Sequence, residues 1–422
     1  MTEEFLQFVW EQRLYDTAGL TTVSGEKVKV LEPGVRNGDA GPDFFNARVR
    51  IGRTLWAGNI EIHRQSSDWY RHGHHDDGTY DTIILHVVHK HDRPVFRPDG
   101  QEIPTLELSS PPRLIDNYRQ LTEATTWIPC QERFRQVDRF SLKIGYNRLM
   151  IERLEEKTAG ITSRLRSNGN NWEETFYQLL ARNFGFHTNA LPFDMLARAL
   201  PSPIAAKHRD NMEQLEALYF GMSGLLHEEL LGADYFLQLR QEFGYLAAKY
   251  HLRPVAGHLW KFMRLRPVNF PTLRIAQFAA LLHHNGTLFS RIMETDTMDG
   301  LRPLFSVAAS DYWTSHYRFN TPSKPSVKHL GDEALSNLVI NTLVPFLFVY
   351  GEETSAHHLK DRALAWLDEL PAEENAIITR WSALGATPET AFESQALLQL
   401  KNRYCNRKRC LDCHIGTRLI MS

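Results

Sequence analysis

Hydrophobic positions along this chain change their period once. In the first hundred or so residues they fall in short runs at 28–31, 44–51, 55–63, 82–90, 95–97 and 105–108, each bounded by Gly, Pro or Asp, and such runs predict strands. Ahead of them Phe5, Phe8 and Val9 recur at helical spacing between Glu3 and Tyr15, which predicts an opening amphipathic helix. Pro104, Pro111 and Pro112 punctuate the exit from this region. Beyond them helical stripes take over: Asn171 is placed to cap a helix carrying Trp172, Phe176, Leu179, Leu180 and Phe184 on one face, and further stripes follow at 212–226, 235–250 and 273–282. Residues 321–328, Thr-Pro-Ser-Lys-Pro-Ser-Val-Lys, read as a loop or linker. The expectation is an α+β protein, with a strand-rich mixed-sheet domain over residues 1–120 and a mostly α-helical region over 121–422 that ends in a cysteine cluster.

Composition refines this picture. At 422 residues the chain exceeds what one hydrophobic core usually serves. Hydrophobic residues at 42% and charged residues at 23% are ordinary for a folded protein, and the formal charge of -2 provides no global basic field for coating nucleic acid. Glu3, Glu4, Glu11 and Arg13 interrupt the first sixteen residues, so no secretory signal is expected there. The most apolar run, residues 338–350, is short for a bilayer and contains Asn341 and Pro345, which predicts a buried core helix. A cytoplasmic protein without a membrane segment is the expectation; nothing in the sequence sets its oligomeric state.

Cysteine use points to metal. Cys405, Cys410 and Cys413 form a C-x4-C-x2-C cluster next to His414, and Cys130 is the remaining cysteine of the chain. Soft thiolates select zinc or an iron–sulfur cluster over Mg²⁺ or Ca²⁺. Cys130 and His414 compete as the fourth ligand. Arg407, Lys408 and Arg409 lie among these ligands, where they could meet phosphates or balance thiolate charge.

The front sheet carries two suggestive acids. Asp43 follows Gly41-Pro42, and Glu61 lies in Glu61-Ile62-His63 on the returning strand. A turn centred on Gly52 sets them opposite each other; a two-residue Gly52-Arg53 turn better fits the apolar alternation but parts them, unless a bulge at Gly58 restores a common face. Two anions so close call for a cation between them.

This order of helix, strand, Pro42-Asp43 and Glu61-x-His63 on a hairpin, then a short helix and a strand over 82–88, resembles the core of the restriction-endonuclease-like PD-(D/E)xK superfamily. The resemblance implies a nuclease acting on DNA, with Mg²⁺ or Mn²⁺ held by Asp43, Glu61 and the Ile62 carbonyl, and Glu11 as an accessory acid. His63 stands where that superfamily has its lysine. The cysteines are similar in arrangement to those of RecB-like nucleases with an iron–sulfur staple, one upstream and three C-terminal. Over most of its length the chain also resembles a bacterial domain-of-unknown-function family, through Gly41-Pro42-Asp43-Phe44, residues 58–63, the Arg266-Pro267-x-Asn269-Phe270-Pro271 stretch and the terminal cysteines.

Two further features offer alternatives. His63, His72, His74, His75, His86, His89 and His91 crowd one stretch with several aspartates, and His72 and His74 are candidate ligands of a hydrolytic transition metal. Arg264, Arg266 and Arg274 alternate with aromatics between Trp260 and Arg274, a pattern that serves nucleic-acid binding or simple core packing. A non-catalytic nucleic-acid-binding or scaffold protein is therefore the second class of function.

Overall fold

The fold is described from a computed structural model over residues 1–226 and 234–422. Contacts divide the chain into two compact units, one of residues 1–145 and 400–422, the other of residues 146–399. The C-terminal cysteine segment thus belongs to the unit that contains the sheet.

The first unit opens with α1 (Glu3–Glu11), capped by the Thr2 hydroxyl, which accepts from the Phe5 N–H. It buries Phe5, Leu6, Phe8, Val9 and Trp10, each contributing about 1.5–3 kcal/mol if fully withdrawn from water, and it packs against β4. The helix is shorter than its hydrophobic pattern predicts, and Arg13 just beyond it has a left-handed φ of 53°. Six strands follow: β1 (Val28–Glu32), β2 (Val35–Arg36), β3 (Phe44–Ile51), β4 (Thr54–Gln65), β5 (Ile83–Lys90) and β6 (Thr105–Glu107). They form one mixed sheet in the order β1-β3-β4-β5-β6, with β2 also on β3. β1, β3 and β4 are antiparallel neighbours, whereas β5 runs parallel to β4 and β6 to β5. The run 95–97 makes only an isolated bridge between Phe96 and Glu102, because Pro94 and Pro98 on either side remove ladder donors. Helix α2 (Asp68–Arg71) and two short 3₁₀ turns, His74–Asp76 and Gly78–Tyr80, connect β4 to β5. Trp69, wholly buried with Ile83, Val95 and Ile103, anchors that connection.

The second unit is helical apart from a two-stranded ribbon, His316–Arg318 with Thr321–Pro322. Asn171 caps Trp172–Phe184 by accepting from the Glu174 N–H, and the other predicted stripes become Met212–Met222, Asp234–Tyr250 and Pro271–His284. One core joins them, with Phe184, Phe193, Phe278, Trp313 and Trp366 all at 1% exposure or less. The 321–328 segment is a loop within this unit: Lys328 is buried and its Nζ donates to the Thr314 carbonyl at 2.6 Å. Among the described residues one helix, Asp332–Glu353, is long and apolar enough to cross a membrane, and 78% of its most apolar window is buried inside the protein.

Candidate metal centre at the end of the sheet

The two acids meet because of a bulge. β3 and β4 turn through Gly52-Arg53, pairing Ile51 with Thr54 and Ala47 with Gly58, but Phe44 pairs with Ile60. Phe45 and Asn46 on β3 thus face Asn59 alone on β4, with Asn46 at φ 58°. If the same residues paired without a bulge, Asp43 would stand opposite Ile62 and point to the other face from Glu61. The bulge lies on β3, opposite the strand where Gly58 suggested it. Gly58 has another role: a Cβ there would fall 2.5 Å from Ile84 Cγ2 and 2.7 Å from the Thr82 carbonyl, so glycine lets β4 and β5 approach.

Main-chain groups lock the pair. The Asp43 N–H donates to Glu61 Oε2 at 3.1 Å, and the Ile62 N–H donates to Asp43 Oδ2 at 2.9 Å. Gln7 on α1 donates to Asp43 Oδ1 at 2.8 Å, and Arg36 Nη2 in turn donates to Gln7 Oε1 at 3.1 Å. Burial, with Glu61 beside it, pushes the Asp43 carboxyl up to about 7. Burial likewise pushes Glu61 up to about 8, against the Asp43 N–H that favours its ionised form. Glu3 on α1 is raised by burial and by Asp43. A divalent ion between such carboxyls would reverse these shifts.

Imidazoles complete the cluster. His63, two residues after Glu61, is wholly buried, with Nδ1 2.8 Å from His86 Nε2 and Nε2 3.1 Å from His72 Nδ1. His74 Nε2 lies 3.1 Å from Glu61 Oε1, and His63 Nε2 lies 3.6 Å from the same oxygen. One ligand atom from each of His63, His72 and His74 falls within 4.8 Å of the others. Tyr80 stacks on the His74 ring at 3.8 Å between centroids, and the Trp69 edge meets it at 5.4 Å. Burial pushes His63 and His74 down and His86 to about 3, so these rings stay neutral and hold lone pairs for a ligand role. The remaining nitrogen, His86 Nδ1, is buried with no protein partner. A cavity of about 390 Å³ is lined by Glu3, Arg64, Gln65, Asp68, Arg71, His72, His89 and Lys90. It shares Glu3 and His72 with this corner of the sheet.

Other sequence-selected residues lie elsewhere. Glu11 is at the far end of α1, 3.9 Å from Arg36 Nη1; Gln7, one turn earlier, reaches the Asp43 carboxyl instead, and Glu3, two turns earlier, is close enough to feel its charge. Only the helix placement could have shown this, since all three share one amphipathic pattern. His75 faces Asp76 at 3.2 Å. In the helical unit Arg264 and Arg266 are exposed, but Arg274 is buried: it donates to Asn269 Oδ1 at 2.6 Å and Gln277 Oε1 at 3.0 Å and covers the Phe186 ring at 4.5 Å. Its guanidinium serves packing.

The four cysteines converge in the first unit, none of them in a disulfide. Cys130, Cys410 and Cys413 are at most 9% exposed. Burial and the neighbouring thiols push Cys130 up to about 12, burial and Cys413 do the same to Cys410, and Cys405 is raised by burial and by all three of the others. Thiols close enough to raise one another in this way are donors of the type a thiophilic metal would take. His414 Nε2 lies 2.7 Å from the Ser141 carbonyl, and a Cβ on Gly145 would overlap the His414 ring, so that nitrogen is engaged with the main chain. Around the cluster Arg407 is exposed, Lys408 Nζ donates to the Thr122 carbonyl at 2.6 Å, and Arg409 pairs with Asp412 at 2.9 Å.

Comparison with known proteins gives one match. The family model described as Protein of unknown function (DUF2851) matches residues 3–376. No curated protein and no solved structure matches.

Proposed function

Taking the chain as the member of the DUF2851 family that it is, we propose that it hydrolyses phosphodiester bonds, in DNA, at a divalent-metal centre held by Asp43 and Glu61. The observation that carries this reading is the reciprocal main-chain locking of the two carboxyls. Rigid, partly dehydrated carboxylates without an ammonium or guanidinium partner are suited to a hard cation. Among the described residues Asp43 makes no ion pair and Glu61 pairs only with imidazoles. The element order, α1 then an antiparallel hairpin bearing both acids and a parallel β5, supports the nuclease-like comparison.

Such an ion, when bound, polarises a phosphoryl oxygen and acidifies a water at neutral pH. The chain's own residues do the rest. Asp43 and Glu61 set the ion's position through their fixed carboxyls, and Gln7 restrains Asp43 from α1. Arg64 and Lys90 line the cavity together with Arg71, which pairs with Asp68 there, and their positive charge can draw in a phosphate backbone. Hydrolysis then joins water oxygen to phosphorus and breaks the bond to one ester oxygen, which leaves with a proton.

Purified protein given Mn²⁺ or Mg²⁺ and end-labelled single- or double-stranded DNA tests this. Cleavage that falls at least a hundredfold in Asp43→Asn and Glu61→Gln is the expected result. Intact DNA with the ion demonstrably bound removes the enzymatic reading and leaves a binding protein.

The thiols support a separate structural centre. Cys130, Cys405, Cys410 and Cys413 are proposed to hold zinc or an iron–sulfur cluster, which would tie residue 130 to the chain's last segment. Elemental analysis and a visible spectrum of anaerobically purified protein distinguish the two. Protein lacking both zinc and iron, with four titratable thiols, contradicts the proposal.

A further inference from the structure

The two oxygens of Glu61 face different partners. Oε2 accepts from the Asp43 N–H, while Oε1 lies 3.1 Å from His74 Nε2 and 3.6 Å from His63 Nε2. His72 Nδ1 is 3.1 Å from His63 Nε2, and the three imidazoles fall within one 4.8 Å cluster. One carboxylate oxygen and three ring nitrogens from β4, the residue after α2 and the first 3₁₀ turn therefore converge beside the carboxyl pair, not on it.

This arrangement resembles a loaded ligand set in three respects. Donor type comes first: imidazole suits transition ions, whereas a set of carboxylate and water alone suits Mg²⁺. The second respect is orientation, because His63 Nδ1 meets His86 Nε2 at 2.8 Å, the kind of outer contact that fixes a ligand imidazole and turns its other nitrogen inward. Third, His63 is wholly buried and His74 keeps only 11% of its side chain exposed, so both point into the cluster and not to water, while exposed His72 closes it from the cavity side.

We propose that Glu61 bridges two metal ions, one shared with Asp43 and the other held by His63, His72, His74 and Glu61 Oε1, with the second position selective for a transition ion. As a catalytic arrangement this rests on the phosphodiesterase reading, since paired ions stabilise the attacking and leaving oxygens together. As a binding site it stands alone.

Equilibrium dialysis of the full chain against MnCl₂, with elemental counting and electron paramagnetic resonance, provides the test. Two Mn²⁺ per chain with a spin-coupled signal are expected, against one Mg²⁺ per chain. His72→Ala with His74→Ala should leave one uncoupled Mn²⁺, and Asp43→Asn should also leave one, now at the imidazoles. His72→Ala alone, at an exposed position that folding tolerates, should weaken one of the two sites at least tenfold. One Mn²⁺ per wild-type chain, or two undiminished in the folded double-histidine variant, overturns the proposal. Two bound Mn²⁺ without DNA cleavage would instead retire the hydrolase reading and leave this site standing.

Discussion

Asn46 and Asn59 face each other across the bulge, with the Asn46 N–H donating to Asn59 Oδ1 at 3.2 Å. Asn59 also donates from Nδ2 to Thr82 Oγ1 at 2.7 Å, so one side chain joins the bulged strand to the start of β5. Asn46 itself sits at φ 58°, a conformation asparagine tolerates better than other L residues.

A change of register beyond the bulge should therefore separate the acids. Deletion of Asn46 alone closes the bulge but keeps Phe44 on Ile60 and Asp43 opposite Glu61, and should retain Mn²⁺ binding; deletion of Phe45 and Asn46 together moves Phe44 to Asn59, turns Asp43 to the face opposite Glu61, and should abolish binding at the carboxyl pair while far-UV circular dichroism stays native. Asn46→Val, which keeps the chain length but strains the left-handed position, should cost about 1–2 kcal/mol in urea unfolding and retain binding. Equal Mn²⁺ affinity in the variant lacking both Phe45 and Asn46 would contradict the role given to the register.

Gly58 offers a packing test. Its substitution by Ala would place a methyl against Ile84 and the Thr82 carbonyl, neither of which yields without moving β5. A loss of about 1–3 kcal/mol is expected, and the combination Gly58→Ala with Ile84→Ala, which removes the Cγ2 methyl, should cost less than the sum of the two single changes.

Glu216 in the helical unit sets a pH dependence. It is 1% exposed; Tyr235 donates to its Oε2 at 2.5 Å and Ser310 to its Oε1 at 2.8 Å, yet burial raises its carboxyl to about 7. An acid whose folded value lies above its unfolded one favours the fold while protonated. Its contribution is complete below about pH 4.5 and is lost as pH rises to about 7, a change of about 3 kcal/mol. Urea unfolding at pH 5 and pH 8 should show that decline in the wild type relative to Glu216→Gln. A difference between the two proteins that stays constant with pH refutes it.

The arginines near residue 270 separate by burial. Arg274→Ala removes two hydrogen bonds and the cover over Phe186, and should lower stability by about 2–4 kcal/mol. Arg264→Ala and Arg266→Ala, both on the surface, should change it by less than about 0.5 kcal/mol. If the segment contacts DNA, it is these two that should reduce the salt dependence of binding.

Local pattern was enough for much of this molecule. Alternation over 44–51 and 55–63 fixes two strands and their two-residue turn, and the Asn171 cap with its apolar stripe fixes a helix, because both depend on neighbours within a few residues. The α+β class follows from that single change of period. Which acids share a face does not, since it turns on where one bulge falls, and Gly34 packs against it; a Cβ on Gly34 would lie 2.8 Å from the Phe45 carbonyl. Choosing Glu3 and Gln7 over Glu11 likewise required α1 to be seated on β4. The histidine crowd was visible as composition, but only the buried Trp69 anchor and the parallel pairing of Glu61 with His86 decided which rings turn inward. Side-chain convergence across distant segments is set by packing, and packing is a property of the whole fold.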